Sequence, residues 1–356
     1  MSVYLIMVAL IASICLIQRV AMVDGKAMIK SNRGLSKTAI FLIFLILTFV
    51  AAFRYGVGTD FYAYYKTSNW TSRFKLGHYN EPGFTIFALA CNYLFNGANG
   101  AITIMSSVVV VSLFIFTIVK RSEAIDISVF LYIFIGCFAG AFNGIRQYMA
   151  AAILFVGYRF VVEKKLFKWL FIVLLASTFH ITAILVFFIY FICNLKCNWW
   201  LVMLYAALAV ALLFSYDSIF EILGGLKNAE FNTEDEYMTG HVNILRVLVQ
   251  CVPIVMFFFV KKSVINGDRE CRFLFNISLL NAAFAIAAMN SPYFSRFCIY
   301  TSCFQILMYP KIFSKMIKDN KNIFTVALLV CYGVFWIYEM FNNTGTKEFH
   351  WIFNYL

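Results

Sequence analysis

Long apolar runs are the feature that most constrains the fold of this chain. The runs at residues 38–53, 128–142 and 322–340 contain almost no charged side chains, and their lengths are close to what a helix needs to cross a bilayer. They do not alternate between apolar and polar residues, as the strands of a membrane barrel would. With 63% apolar and 13% charged residues, the composition lies outside the range of soluble domains. The sequence therefore predicts an all-α polytopic membrane protein, with backbone groups satisfied inside helices.

The chain carries no sign of a second domain or of a cofactor site. No long linker or repeat interrupts residues 1–356, so we expect a single integral membrane domain. The first 20 residues lack a basic start and a cleavage site, which predicts a retained helix rather than a signal peptide. The ten cysteines lie mostly in apolar runs without ligand spacing, a pattern typical of buried thiols. No nucleotide loop or HExxH motif is present, so we expect neither a metal nor an organic cofactor.

Basic residues give the predicted orientation in the membrane. They concentrate in short loops, and such loops stay on the cytoplasmic side. The clearest of these loops are residues 18–38, 163–169, 261–272 and 311–321. The formal net charge of +12 is therefore a signal of topology and not of nucleic-acid binding.

Alternation across the bilayer assigns the remaining loops to the outer face. These are residues 54–82, 143–146, the neighbourhood of His180, 216–241, 291–296 and 341–356. Residues 84–95 are too short for a full span, and we interpret them as a re-entrant or half-spanning helix. The resulting topology has about 12 crossings, with both termini outside. Its larger outer loops are residues 54–82 and 216–241.

Arginines occur at predicted outer helix ends, where sorting of basic loops to the cytoplasm does not explain them. They are Arg54, Arg146, Arg246 and Arg296. A guanidinium group is a planar fork of donors that matches phosphate oxygens and stays charged. Either these side chains converge on an anion, or they extend into the lipid headgroups.

The stretch NGIRQYMAAA contains the first of two similar helix breaks. Asn143 and the glycine after it end one apolar segment, and Arg146 and Gln147 begin the next. Free N–H groups and the positive end of the helix dipole favour a phosphate there, although an arginine at a helix start also anchors a turn without a ligand. The same order of break, aromatic and arginine recurs in SPYFSRF, at Tyr293 and Arg296.

His180 lies between two short apolar halves in LLASTFHITAILVF. An ionisable side chain in such a segment is by default a functional candidate. We expect it to bond a phosphate or a sugar hydroxyl or to move a proton. The alternative is a histidine that caps a helical hairpin by bonding the backbone.

The stretch RYGVGTDFYAYY supplies a carboxylate and several aromatic rings at the predicted outer face. Asp60 either pairs with Arg54 or orients or deprotonates a hydroxyl. Tyr62, Tyr64 and Tyr65 either stack on sugar rings or belong to an interfacial aromatic belt. Glu81, directly before the short apolar segment, is a second carboxylate.

Taken in order, these stretches resemble the EpsG-like group of Wzy-type polysaccharide polymerases, which make O-antigen, capsule or exopolysaccharide in bacteria. The matching pieces are RYGVGTDFYAYY, EPGF, NGIRQYMAAAILF, FHITAILVF and SPYFSRF. The resemblance spans most of the chain and implies a polytopic glycosyltransferase of GT-C architecture. It implies that a growing glycan moves from undecaprenyl diphosphate to the non-reducing end of a new lipid-linked repeat unit.

The resemblance also implies a location and partners. The enzyme would lie in the bacterial cytoplasmic (inner) membrane, with its active site facing the periplasm or the exterior. Its partners would be the undecaprenyl-diphosphate-linked donor and acceptor, the lipid bilayer and a chain-length regulator protein. No nucleotide sugar would be needed.

For this chemistry we expect Arg146 and Arg296 to stabilise charge on the diphosphate leaving group, with Arg54 and Arg246 in support. Either Asp60 or His180 would orient or deprotonate the attacking hydroxyl. The remaining predicted substrate contacts are Asn143, Gln147, Tyr62, Tyr65, Glu81 and Tyr293.

Three other functions stay open at this point. An O-antigen ligase shares the donor chemistry and differs in its acceptor. A lipid-linked oligosaccharide flippase or other transporter would show paired halves with matching broken helices, and the sequence has no such symmetry. A membrane acyltransferase acting on sugars would be expected to have its histidine nearer the cytoplasmic side.

Overall fold

The computed structural model describes residues 2–23, 26–29, 35–66, 81–214, 242–290, 294–316, 318–342 and 344–355. These residues are predominantly helical, which confirms the predicted all-α class. The predicted outer loop 216–241 and Tyr293 lie outside the described residues, as do residues 67–80. The chain forms two compact units, Met1–Phe187 with Ile323–Leu356, and Phe188–Asn322. The interpretation of residues 1–356 as one integral membrane domain stays a prediction.

The elements follow one another as helices with two small sheets. The first part of the chain contains α1 (Ser2–Arg19), β1 (Val20–Val23), β2 (Lys26–Ile29), α2 (Lys37–Ala52), β3 (Arg54–Tyr55), α3 (Phe61–Tyr65), α4 (Pro82–Leu94), α5 (Ala101–Arg121), α6 (Ile125–Phe134), α7 (Cys137–Gly140), α8 (Ile145–Gly157), α9 (Arg159–Val162), α10 (Leu166–Phe179) and a 3-10 helix (Ile181–Phe188). Next come α11 (Ile189–Ile192), α12 (Trp199–Phe214), α13 (Ile244–Gln250), α14 (Val252–Phe259), α15 (Lys262–Ile265), α16 (Arg269–Ala287), α17 (Ser295–Ser302) and α18 (Gln305–Ser314). The chain ends with α19 (Lys318–Asn342), α20 (Thr344–Lys347), β4 (His350–Trp351) and a 3-10 turn (Ile352–Asn354).

Two helix starts show how side chains fix the element boundaries. The Ser36 hydroxyl accepts a hydrogen bond from the Ala39 N–H at 3.2 Å, just before α2. The Asp268 carboxylate accepts from the Cys271 N–H at 2.7 Å, at the start of α16. Each side chain satisfies one of the N–H groups that a helix start leaves without a partner.

Several described helices have the length and composition of membrane spans. Those that are long and apolar enough to cross are Ala101–Arg121, Ile145–Val162, Arg269–Ala287 and Asn322–Asn342. Other apolar helices among the described residues are shorter, at 10–17 residues. This set fits a multi-pass membrane protein. The topology with about 12 crossings and the GT-C architecture stay predictions.

Helix α4 is short, and the chain at both of its ends approaches α3. Its 13 residues cover about 20 Å, less than the hydrocarbon thickness of a bilayer. At its start, Glu81 and Tyr64 of α3 bond the same Arg146 side chain. After its end, the Gly100 N–H donates to the Tyr65 carbonyl at 2.7 Å. This geometry supports a segment that does not cross the membrane, and its re-entrant or half-spanning nature stays a prediction.

The packing of α8 explains the alanine run that the sequence places after Arg146. Ala150, Ala151 and Ala152 are fully buried, and α8 packs against both α5 and α10. Small side chains let helix backbones approach one another closely. The three alanines are therefore covered by neighbouring helices.

In the second unit, α16 carries buried polar side chains that are paired with its neighbours. The Asn281 amide donates to the Gln250 side-chain carbonyl of α13 at 2.6 Å, and the Thr301 hydroxyl of α17 donates to the Asn281 side-chain carbonyl at 2.8 Å. All three residues are buried. Pairing of this kind avoids the cost of buried polar groups without partners.

Candidate functional site

In the first unit, segments that charge alternation assigned to the outer face lie together. The Thr59 N–H donates to the Asn143 side-chain carbonyl at 2.9 Å. The Gly58 N–H donates to the Gly345 carbonyl at 2.7 Å. Residues from 54–66, 143–146 and 341–355 therefore meet at one place, although they are far apart in sequence.

Gly58 makes this meeting possible. Its φ is +99°, in the region where only glycine is free of strain, and a Cβ at this position would overlap the Phe142 carbonyl group. The segment after α2 therefore packs directly on the helix break before α8. This contact holds Thr59 beside Asn143, which we predicted as a substrate contact and which also has a structural bond here.

The centre of the candidate site is the carboxylate of Glu81. Its Oε2 accepts a hydrogen bond from the Arg146 guanidinium, an ion pair in which the Glu81 side chain is 9% exposed and the Arg146 side chain 36% exposed. The Arg146 Nε also donates to the Tyr64 hydroxyl at 2.8 Å. Arg146 is thus oriented by two partners and keeps a solvent-facing portion.

We call Glu81, Arg146, Tyr64 and His180 the Glu81 cluster, in which His180 contacts the second oxygen of the carboxylate. Its Nδ1 lies 2.7 Å from Glu81 Oε1, and the Ile181 N–H donates to the same oxygen at 3.3 Å. The break between α10 and the following 3-10 helix frees this N–H, because His180 itself is extended. Among the described residues, the Nε2 of His180 has no hydrogen-bond partner.

Close packing of α4 against α10 brings Glu81 next to His180. A Cβ at Gly83, near the start of α4, would overlap the Thr178 side chain of α10. The absence of a side chain therefore lets α4 approach α10 next to His180. Glu81, two residues before Gly83, is carried to the imidazole by this approach.

Electrostatics favour a charged carboxylate at Glu81. Burial alone would raise the pKa of Glu81, but the hydrogen bond with His180 and the charge of Arg146 outweigh it and bring the pKa below its ordinary value. Burial raises the pKa of Tyr64, with Arg146 opposing that rise. The Tyr64 hydroxyl therefore stays protonated while its oxygen accepts from Arg146.

Arg54 has structural partners rather than a carboxylate. The residue is 1% exposed, and its guanidinium donates to the Ala51 and Val57 carbonyls and to the Ser107 hydroxyl. The ring of Phe142 lies 4.3 Å from its Cζ. Of the two roles considered for Asp60, pairing with Arg54 is therefore not observed among the described residues.

The other predicted residues of the first unit surround the cluster. Asp60 precedes α3 and is close enough to Tyr64 to act on its pKa. Gln147 is buried in the first turn of α8. Tyr62 is 61% exposed and Tyr65 is half-buried. Their roles toward a substrate stay predictions.

Arg246 and Arg296 belong to the second unit. They lie in the first turns of α13 and α17, both exposed, and Arg246 is close enough to Cys298 of α17 to act on it electrostatically. The role of these two arginines in binding a diphosphate stays a prediction.

No group of three His, Cys, Asp or Glu side chains that could hold a metal ion occurs in the part of the chain that the structure describes. The chemistry of the cluster is instead that of a cation, a carboxylate and an imidazole. Such a set binds an anion through the guanidinium and moves a proton through the imidazole.

Sequence reasoning singled out Arg146, His180 and Glu81 but did not pair them. Glu81 and His180 are 99 residues apart, and neither local motif refers to the other. It did not identify Tyr64 as a partner of Arg146 either. The only available signal was that all four lie in or next to segments assigned to one face.

Comparisons with known proteins agree with the resemblance carried by the motifs. A model of the EpsG family matches residues 37–355. Neither the curated proteins nor the solved structures contain a match to this chain. Because the family match runs over almost the whole sequence and includes every residue of the cluster, the chain belongs to the EpsG family.

Proposed function

We propose that this protein is a polysaccharide polymerase of the bacterial cytoplasmic membrane. It transfers a growing glycan from undecaprenyl diphosphate to the non-reducing end of a lipid-linked repeat unit, at the outer face. Membership of the EpsG family supports a role in polysaccharide biosynthesis. The observation that carries the proposal is the Glu81 carboxylate, which joins the cation of Arg146 to the imidazole of His180.

Arg146 is the proposed contact for the leaving group. When the bond between the sugar C1 and the diphosphate oxygen breaks, negative charge develops on that oxygen. A guanidinium held in place by Glu81 and Tyr64 needs little reorganisation to stabilise that charge, and preorganised donors are the largest single contribution in many enzymes.

His180 is the proposed general base, in preference to Asp60, because its Nδ1 lies 2.7 Å from the Glu81 carboxylate. With its Nδ1–H donated to Glu81, its Nε2 accepts the proton of the attacking sugar hydroxyl. The hydroxyl oxygen forms the new bond to C1, and undecaprenyl diphosphate leaves with the bonding electron pair. The imidazolium then releases its proton to the diphosphate or to water.

The roles of the three side chains reinforce one another. Before the reaction, the charges of Arg146 and Glu81 cancel. Proton uptake by His180 adds a positive charge to the cluster while the leaving group becomes negative. Glu81 stabilises the imidazolium, as a carboxylate beside a catalytic histidine does in other enzymes.

The test is a strain in which the gene is deleted and then complemented. Surface glycan would be separated on a gel from strains carrying wild type, Arg146→Ala or the matched control Arg159→Ala, with membrane levels checked by blot. Arg159 is exposed, lies against the Phe160 ring, and is close to the predicted cytoplasmic loop 163–169. We expect single repeat units without a ladder in Arg146→Ala, and a normal ladder in Arg159→Ala.

Other outcomes would identify a rival function. If no repeat unit reaches the surface in the deletion strain, the protein is a flippase. If long chains accumulate on the lipid carrier without transfer, it is a ligase. A normal ladder in Arg146→Ala would contradict the proposed leaving-group contact.

A further inference from the structure

The C-terminal segment returns to the candidate site and folds against the residues that follow α2. Strand β4 pairs antiparallel with β3, with Arg54 opposite Trp351 and Tyr55 opposite His350. The Ile352 N–H donates to the Phe53 carbonyl at 2.9 Å. The last described residues are therefore a fixed part of this face.

This pairing assembles a group of four tyrosines from both ends of the chain. Tyr55 stacks on Tyr355, with ring centroids 3.8 Å apart and an interplanar angle of 14°. Tyr62 and Tyr65 present their rings edge-on to Tyr55, at 6.2 and 5.4 Å. The ring of His350 lies 6.2 Å from that of Tyr355. We call Tyr55, Tyr62, Tyr65 and Tyr355 the tyrosine surface.

The tyrosine surface is open to a ligand. Tyr62 is 61% exposed and Tyr355 is 50% exposed. Among the described residues, none of the four hydroxyls has a hydrogen-bond partner and no cation lies over any of the four rings. Each hydroxyl is both a donor and an acceptor, so the surface combines flat apolar faces with unused polar capacity.

Helix α3 connects this surface to the Glu81 cluster. Successive residues of a helix are rotated by about 100°, so Tyr64 points away from its neighbours in this single turn. Tyr64 bonds Arg146, while Tyr62 and Tyr65 contact Tyr55. A molecule bound on the tyrosine surface is thus one helix turn from the proposed catalytic side chains.

We propose that the tyrosine surface binds the saccharide of the acceptor, an inference that rests on the proposed function for the identity of its ligand. A pyranose ring has apolar C–H faces and a rim of hydroxyls, which match aromatic faces and phenolic hydroxyls. A diphosphate would require cations, and in the described part of the chain no cation lies over these rings. A prenyl tail would leave the hydroxyls unused. The C-terminal segment, through Tyr355, is then a specificity-determining part of the enzyme.

The experiment measures saccharide binding and not transfer, so that its outcome is independent of the proposed function. The probe is the oligosaccharide released by mild acid from the lipid carrier of the host strain. It would be titrated against the purified full-length protein in lipid nanodiscs. The variants are Tyr355→Ala, Tyr62→Ala and a matched control, Tyr93→Ala, which is 83% exposed on α4.

We expect Tyr355→Ala and Tyr62→Ala each to weaken binding about tenfold, as truncation of an aromatic anchor does at other interfaces. Tyr93→Ala should leave binding unchanged. The polymer ladder of Arg146→Ala tests the leaving-group contact, and this titration does not use that variant, so the two proposals can fail separately.

Two results would overturn the inference. The first is a wild-type protein that does not bind the probe. The second is unchanged binding in both Tyr355→Ala and Tyr62→Ala, which would leave the tyrosines without a part in saccharide binding. Tyr62→Ala keeps the test valid if Tyr355→Ala fails to fold, because Tyr62 takes no part in strand pairing.

Discussion

The two oxygens of Glu81 have different partners: Oε2 accepts from Arg146, and Oε1 lies 2.7 Å from the Nδ1 of His180. One carboxylate therefore positions both a cation and an imidazole. It joins three segments of the chain, namely the start of α4, the start of α8 and the break after α10. A change at Glu81 should therefore disturb both anion binding by Arg146 and proton transfer by His180.

Replacing Glu81 by Gln tests this coupling. The amide keeps the shape but loses the charge, so it no longer stabilises an imidazolium at His180. We expect the rate of glycan transfer to fall about 100-fold, the lower range for loss of general-base catalysis. The rate would be measured with lipid-linked repeat units in proteoliposomes.

The matched control for Glu81 is Glu163→Gln. Glu163 also pairs with a basic side chain, Lys165, but its side chain is 40% exposed. Transfer by this variant should equal that of wild type. An equal loss in both variants would mean that the effect of Glu81→Gln is not specific to the cluster.

The stability of the protein should depend on the ionisation of Glu81 only at acid pH. The pKa of Glu81 in the folded protein is below the ordinary value. The charged carboxylate therefore contributes stability above the pKa of the unfolded state, and this contribution is lost as the pH falls through the pKa of the folded state. The difference in unfolding free energy between wild type and Glu81→Gln should therefore shrink as the pH falls below about pH 4. Thermal unfolding in nanodiscs at several pH values measures it; a difference that does not shrink there would contradict the ion pair.

Arg146→Lys asks whether the guanidinium fork matters beyond its charge. A lysine reaches one partner at a time, whereas Arg146 donates to Glu81 and Tyr64 from different nitrogens. We expect transfer to fall about 100-fold, in line with loss of a preorganised donor at a developing oxyanion. The control Arg159→Lys should retain activity, and full activity in Arg146→Lys would show that a point charge suffices.

Gly58→Ala tests the contact between the segment after α2 and the break before α8. Its control is Gly136→Ala, because Gly136 has a similar φ of +92° but nothing within 4 Å of an added Cβ. Backbone strain alone should lower the unfolding free energy by about 1 kcal/mol in each variant. The overlap with the Phe142 carbonyl should cost Gly58→Ala about 1–3 kcal/mol more. Equal losses in thermal unfolding would mean that this close approach does not constrain the fold.

The sequence was sufficient for the membrane class and for most members of the cluster, because both follow from local patterns. Apolar runs predicted the helices, and basic loops predicted that residues near Asn143, His180 and Glu81 share a face. The partners of each side chain were not predictable, since they depend on tertiary packing. Arg54 illustrates this limit: its motif predicted a substrate contact, whereas the structure buries it against Ser107 and two carbonyls.

The C-terminal segment was the least predictable part of the site. Only its assignment to the outer face came from the sequence. Strand β4 has two residues, too few for a periodic pattern, and its pairing with β3 joins opposite ends of the chain. The same is true of Tyr64, whose helix of five residues has no pattern that assigns it to Arg146.

The central claim is that His180 acts as the base for glycan transfer. The most direct measurement is the extension of purified lipid-linked repeat units by wild type and by His180→Ala, each full-length and reconstituted in proteoliposomes, with products resolved by chain length. The account predicts a ladder with wild type, and with His180→Ala a rate at least about 100-fold lower, while thermal unfolding shows a folded protein. Extension by folded His180→Ala at the wild-type rate would contradict it.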